Sequence, residues 1–149
     1  ELHSLADDIF SYFGLGCRNV SKLYLPNGFD LNRFFNAVFP WSEIIYHHKY
    51  ANNYDYNKAV WLLNNEQLLD NGFLLLKQET ALAAPTGSIY YEYYEDEGTV
   101  RSQIAERAEE IQCVVSQTDI PFGKAQCPML DDYADGVDTL QFLLGLTRS

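Results

Sequence analysis

Phe13-Gly14-Leu15-Gly16-Cys17-Arg18-Asn19-Val20-Ser21-Lys22-Leu23-Tyr24-Leu25-Pro26 is where one backbone periodicity gives way to another. Before it, Leu2, Leu5, Ala6, Ile9, Phe10 and Phe13 recur at steps of three and four, which predicts a helix over about 2–13. Gly14 or Gly16 is its expected stop, because glycine readily takes the backbone angles that end a helix. After it, Ser21 to Leu25 reads as a strand closed by Pro26, and Asn27-Gly28 reads as a turn. A second helix is expected from Asp30, with Leu31, Phe34, Phe35 and Val38 on one face and Pro40 as its end.

The same alternation continues downstream. Trp41 to Tyr50 is weakly helical, Asn52-Asn53 is an expected break, and Asp55 is an expected N-cap for a helix turning Ala59, Val60 and Leu63 inward. Asp70-Asn71-Gly72 is a turn before an apolar strand at Phe73 to Lys77. Ala83 to Gly87 is a loop, Ser88 to Glu95 a tyrosine-rich strand, Thr99 to Glu110 a helix, and Gln112 to Ser116 a last short strand. Strands alternating with helices predict an α/β layer architecture. In the tyrosine-rich strand, alternation sets Tyr90, Glu92 and Tyr94 on one face and Ile89, Tyr91 and Tyr93 on the other, and one face could meet a partner.

With 149 residues the chain fits one domain with a real core. The formal net charge of -11, with only 10 scattered Lys and Arg, speaks against a nucleic-acid partner, since a phosphate backbone would be repelled. No apolar run reaches the roughly 20 residues of a membrane span. Three widely spaced cysteines, Cys17, Cys113 and Cys127, without a Cys-x-x-Cys pair, fit a reducing cytoplasm.

Cys17 is the first candidate for chemistry. Glycines beside a thiol let an incoming group approach the sulfur closely. A nucleophilic thiol must be partly thiolate, which needs a positive charge, hydrogen-bond donors or a base nearby. Arg18 and Lys22 are close in sequence, while the negative end of the preceding helix would work against ionisation. His47-His48 could supply a base for a Cys-His dyad, but neighbours on a helix diverge by about 100 degrees and would share a metal poorly. Cys127 lies in a loop with nothing close in sequence to activate it. Asp131, Asp132, Asp135 and Asp138 lack the glycine and glutamate of a calcium loop, so caps and solvation are expected of them. No metal site is expected, and no glycine-rich phosphate cradle is present.

Taken together, Phe13 to Pro26, then Phe29-Asp30 and Phe34-Phe35, resemble the nucleophile segment of the aldehyde dehydrogenase superfamily. The closer likeness is to its acyl-CoA reductase branch, which includes the fatty-acyl reductase of bacterial luminescence (LuxC-like). Ile120-Pro121-Phe122-Gly123-Lys124-Ala125-Gln126 and Asp132 to Leu140 also resemble that branch, and Pro-Phe-Gly is shared with the wider superfamily.

The resemblance implies an aldehyde-dehydrogenase-like catalytic domain, with a mostly parallel sheet flanked by helices. It implies that Cys17 takes an acyl group from an acyl-CoA or other acyl thioester, and that NADPH or NADH then reduces the acyl-enzyme to an aldehyde. Phe122 would line the acyl pocket. Glu79 and Glu92 are both candidates for a carboxylate contacting the nicotinamide ribose, and neither is assigned.

In that superfamily the dinucleotide-binding domain, an oxyanion-hole Asn and a general-base Glu precede the nucleophile. The expectation is therefore a single catalytic domain over 1–149 that is a fragment lacking an N-terminal cofactor domain, with that domain or a second copy of the chain as protein partners. The competing expectations are a non-catalytic interaction or oligomerisation module with a structural Cys17, and a cysteine acyltransferase using His47 or His48.

Overall fold

A computed structural model describes residues 1–130, 132–133 and 137–146. In chain order the elements are α1 (Leu2–Phe10), a 3-10 turn (Ser11–Gly14), β1 (Lys22–Pro26), α2 (Leu31–Val38), a 3-10 segment (Phe39–Tyr46) and α3 (His48–Leu63). Then come β2 (Leu69–Asp70), β3 (Leu75–Gln78), β4 (Ser88–Tyr94), α4 (Glu97–Glu106), a 3-10 turn (Ala108–Glu110) and α5 (Thr139–Leu146). The strands form one sheet in the order β1-β4-β3-β2. β4 pairs in parallel with both β1 and β3, and β2 runs antiparallel to β3. The α/β class follows as expected, with a mixed four-stranded sheet flanked by helices.

The register sorts the sheet into two chemistries. Leu23 opposite Tyr91 and Leu76 opposite Ile89 put apolar side chains on one face. They join Ile9 and Phe10 of α1 and Phe34 and Val38 of α2 in one core. The other face carries Lys22, Tyr24, Lys77, Tyr90 and Glu92. There the Lys77 ammonium lies over the Trp61 ring of α3 at 5.4 Å and pairs with Glu66, while Lys22 pairs with Glu92 at 2.7 Å. Each cation buried on this face thus has both a carboxylate and an aromatic neighbour.

α3 departs from expectation. Asn52-Asn53 does not interrupt it, and Asp55 lies within it rather than capping it. Its buried stripe is Tyr50, Tyr54, Asn57 and Trp61, while Leu63 is 82% exposed. The polar tips explain the choice. Tyr50 Oη donates to the Phe73 carbonyl at 2.9 Å, and Tyr54 Oη donates to Asp70 at 2.6 Å. Asn57 Nδ2 reaches the Thr86 carbonyl at 2.9 Å. A buried ring whose hydroxyl has a partner is as good a core residue as an aliphatic one. Gln112 to Ser116 forms no strand; its sheet-like contact is a single bridge from Val115 to Ile120. α4 begins two residues earlier than expected because Asp96 caps it through the Thr99 amide at 2.9 Å.

No helix among the described residues is long and apolar enough to cross a membrane.

Candidate functional site

α1 ends at Phe10, and the chain then turns through a left-handed corner: Tyr12 and Phe13 have φ of 54° and 59°, and Gly14 follows at 70°. For a residue with a Cβ this region costs about 1–2 kcal/mol, so two successive non-glycine residues there mark a corner that its surroundings enforce. One enforcing contact is the stack of Phe13 on His47, with ring centroids 3.7 Å apart. The other is Asn19. Its Nδ2 donates to the carbonyls of Asp8, Ile9 and Ser11 at 2.9, 3.0 and 3.0 Å, and its Oδ1 accepts from the Gly16 amide at 2.6 Å. The carbonyls that end α1 are therefore engaged by Asn19, which removes much of the helix-end opposition expected at Cys17.

Cys17 itself is exposed. Cys17 lines a cleft of about 200 Å³ together with Gly14, Gly16, Ser21, Thr86 and Gly87, and among the described residues no charged side chain lines it. Ser21 precedes β1, Leu74 precedes β3 and Ser88 begins β4, so the cleft lies at the amino ends of the three mutually parallel strands. Its two serine hydroxyls are engaged: Ser21 donates to the Leu82 carbonyl at 3.0 Å and Ser88 to the Pro85 carbonyl at 2.6 Å.

The Pro-Phe-Gly segment arrives at the same corner. The Asp8 carboxylate, 1% exposed, accepts from the Gly123 amide at 2.6 Å and the Ala125 amide at 2.9 Å. Arg18 Nε donates to the Ala125 carbonyl at 2.6 Å, and its Nη2 lies 3.5 Å from Asp132. Residues flanking Cys17 and residues after Phe122 are thereby bound together across 107 positions of sequence. Cys113 joins them, its thiol donating to the Arg18 carbonyl at 3.7 Å. Burial pushes the Cys113 thiol pKa up, and the nearby Arg18 charge offsets part of that rise.

The other sequence candidates are dispersed. Lys22 points away to Glu92 and the Glu79 carbonyl, so it is committed to the sheet face. Glu79 in turn pairs with Lys77. Phe122 packs against the hydrophobic core and is not among the residues lining the Cys17 cleft. His47 lies beside Phe13, with its Nδ1 buried and unpartnered among the described residues. His48 opens α3 and is exposed. Cys127 is exposed in its loop. Asp138 accepts from the Gln141 amide and caps α5, while Asp132 accepts from the Met129 amide and pairs with Arg18. Asp131, Asp135 and the Ala134-Asp135-Gly136 part of the tail pattern lie outside the described residues. Among the described residues, no group of three or more His, Cys, Asp or Glu is arranged to hold a metal ion.

Asp8 and Asn19 organise this corner, and sequence reasoning passed over both. An Asp within an amphipathic helix reads as a solvated residue. At 100° per residue Asp8 lies outside the apolar stripe, beyond its Leu5 edge, so periodicity gave no sign of its burial. No protein-family model, curated protein or solved structure matches this chain.

Proposed function

We propose that this chain is the catalytic portion of an NAD(P)H-dependent acyl-CoA reductase with an aldehyde-dehydrogenase-like fold, in which Cys17 carries the acyl group. The observation that supports this reading most is the meeting of the two resembling segments: Arg18, next to the exposed thiol, bonds the Ala125 carbonyl, while the Gly123 and Ala125 amides are held by Asp8 of α1.

In the proposed step the Cys17 thiolate attacks the thioester carbonyl. A carbon–sulfur bond forms, the carbonyl electron pair moves onto oxygen, and collapse of that intermediate expels the coenzyme A thiolate. The product is an acyl-Cys17 thioester, activated towards further attack because a thiolate is a good leaving group. The neutral cleft suits an uncharged carbonyl.

A nicotinamide cofactor would supply the hydride that completes reduction. The cleft does not fit one: its volume of about 200 Å³ is below the roughly 300 Å³ at which pockets for drug-sized ligands begin, and among the described residues its lining has no basic side chain to face a pyrophosphate. Acyl transfer is the half-reaction that these residues support.

Intact-mass measurement after incubation with an acyl-CoA tests the reading. The expected result is one acyl adduct on the wild-type chain, released by hydroxylamine and absent from Cys17→Ala. A wild-type chain that is folded by circular dichroism yet unmodified, or an equal adduct on the variant, overturns it.

The interaction-module reading keeps one specific observation in its favour. α5 buries none of its side chains, and Leu140, Phe142, Leu143, Leu144 and Leu146 are all more than half exposed. Self-association together with an unreactive Cys17 would favour that reading.

A further inference from the structure

Two tripeptides of this chain are identical: Asn27-Gly28-Phe29 follows β1, and Asn71-Gly72-Phe73 follows β2. Asparagine before glycine is where a chain most readily attacks itself, because the glycine has no Cβ to hinder the approach of its nitrogen to the asparagine side-chain carbonyl carbon. Both glycines have positive φ, 79° and 93°, and a Cβ at either would meet nothing within 4 Å. Steric room is therefore equal, and hydrogen bonding sets the two turns apart. In the second, Asn71 Oδ1 accepts from the Phe73 and Leu74 amides at 3.2 and 2.8 Å, and its Nδ2 is closed to solvent. The Gly72 N–H there donates to Asp70 Oδ1 at 2.8 Å. In the first, Asn27 is exposed, and neither its side chain nor the Gly28 N–H has a hydrogen-bond partner among the described residues. The bonds that hold this turn, from the Phe29 amide to the Pro26 carbonyl and from the Asn27 amide to the Tyr94 carbonyl, leave both reacting atoms free.

We propose that Asn27 is a modification site at which the folded chain alters itself, to aspartate and isoaspartate, while the fold withholds Asn71 from the same reaction. The Gly28 nitrogen attacks Asn27 Cγ. A carbon–nitrogen bond forms, the Cγ–Nδ2 bond breaks, and Nδ2 leaves as ammonia with the proton that the Gly28 nitrogen gave up through water. The product is a five-membered cyclic imide. Water then opens it at either carbonyl, giving aspartate or, where the main chain now runs through Cβ, isoaspartate. Water is the only co-reactant. At the second turn, Asn71 Oδ1 would have to release two amide donors and Gly72 its bond to Asp70 before the same two atoms could meet. Either product at Asn27 places a new carboxylate near Asp30, whose side chain caps α2, and isoaspartate also lengthens the link between β1 and α2.

The shared tripeptide makes the second turn a control for the first. The whole chain is held in mildly alkaline buffer, with and without denaturant, and peptide mapping by mass follows aspartate and isoaspartate at each site over time. In the folded chain Asn27 is expected to convert about 10- to 1,000-fold faster than Asn71, the factor that three hydrogen bonds together supply. In denaturant the two sites should convert at closely similar rates, and Asn27→Ser should remove the early product from the folded chain. Equal rates in the folded chain, or Asn71 ahead, overturn the proposal. So does a folded chain that keeps Asn27 intact over the time in which both sites convert in denaturant, because this turn too would then be protected. A rate ratio that persists unchanged in denaturant also overturns it, since the preceding residues, Pro26 and Asp70, would then set the order in place of the fold. None of these results depends on the role of Cys17.

Discussion

The sheet has a cleft at each end, and the two are built oppositely. At the carboxyl ends of β1 and β4, a hollow of about 320 Å³ is lined by Tyr24, Tyr93 and Tyr94 with Glu92, Glu95 and Asp96. At the amino ends, the Cys17 cleft is glycine-rich and, among the described residues, has no charged side chain in its lining. Open α/β sheets generally place ligands outside the carboxyl ends of their strands. Here, polar groups at that end serve the scaffold: Glu92 neutralises Lys22, and Asp96 caps α4. Burial, reinforced by the negative charge of Glu92 and countered by Arg107, raises the Tyr24 pKa and keeps its hydroxyl neutral. The amino end holds an exposed thiol and two strained residues. The proposed acyl transfer is placed at the amino end because the exposed thiol is there, against the general topological preference.

The sharpest way to break this contrast is to release the loop that completes the amino end. Asp8→Ala leaves the Gly123 and Ala125 amides without their carboxylate, and hydrogen bonds to a charged group contribute about 1.5–3 kcal/mol each. The expected loss is about 3–5 kcal/mol in chemical denaturation, with Cys17 acylation abolished in whatever fraction remains folded. A variant that melts within a degree or two of wild type would show that the two ends do not differ in how they are held.

Gly16→Ala is the next largest test, and it acts on the corner alone. A Cβ at this position would lie 2.6 Å from Asn19 Oδ1, closer than any real Cβ contact. Asn19 must then shift, and it holds three carbonyls at the end of α1 as well as the Gly16 amide. Overpacking of this kind costs about 1–3 kcal/mol, seen as a lowered denaturation midpoint. Amide exchange should quicken in the last turn of α1 and not in α4. Uniform quickening in both would mean that the corner is not a separate unit.

The sequence announced this corner better than it announced its supports. The periodicity break at Phe13 to Gly16 located the end of helical structure to within a few residues, because glycine spacing is local information. The strands at Lys22–Pro26 and Ser88–Tyr94 were equally legible from their composition. Asp8 was not, because its partners, the Gly123 and Ala125 amides, lie more than 110 positions away in sequence, and Asn19 was not, because its bonds to the end of α1 and to Gly16 exist only once the corner has formed. α3 misled for a related reason: its buried stripe is aromatic and polar-tipped, so aliphatic positions such as Leu63 gave the wrong face. Lys22 looked like a partner for the thiol by proximity, yet the alternation of a strand sends it to Glu92 on the opposite chemistry of the sheet.

The smallest effect belongs to the carboxyl end and is a matter of pH. The Thr99 amide, then the Thr99 hydroxyl and the Gly98 amide, hold the Asp96 carboxyl below the usual carboxylate range. A carboxylate whose folded pKa is depressed adds stability above its unfolded pKa of about 3.9, and that contribution disappears as pH falls through the folded value. Asparagine caps a helix about as well as aspartate but does not titrate. Asp96→Asn should therefore match wild type near neutrality, and its Thr99 and Val100 amides should keep their exchange protection when the wild type begins to lose it below about pH 4. Acylation of Cys17 should be unchanged by the substitution at neutral pH. If Asp96→Asn frays at acid pH just as the wild type does, α4 is held by something other than this cap. If it alters Cys17 acylation, the two ends of the sheet are coupled, and the separation of scaffold from site is wrong.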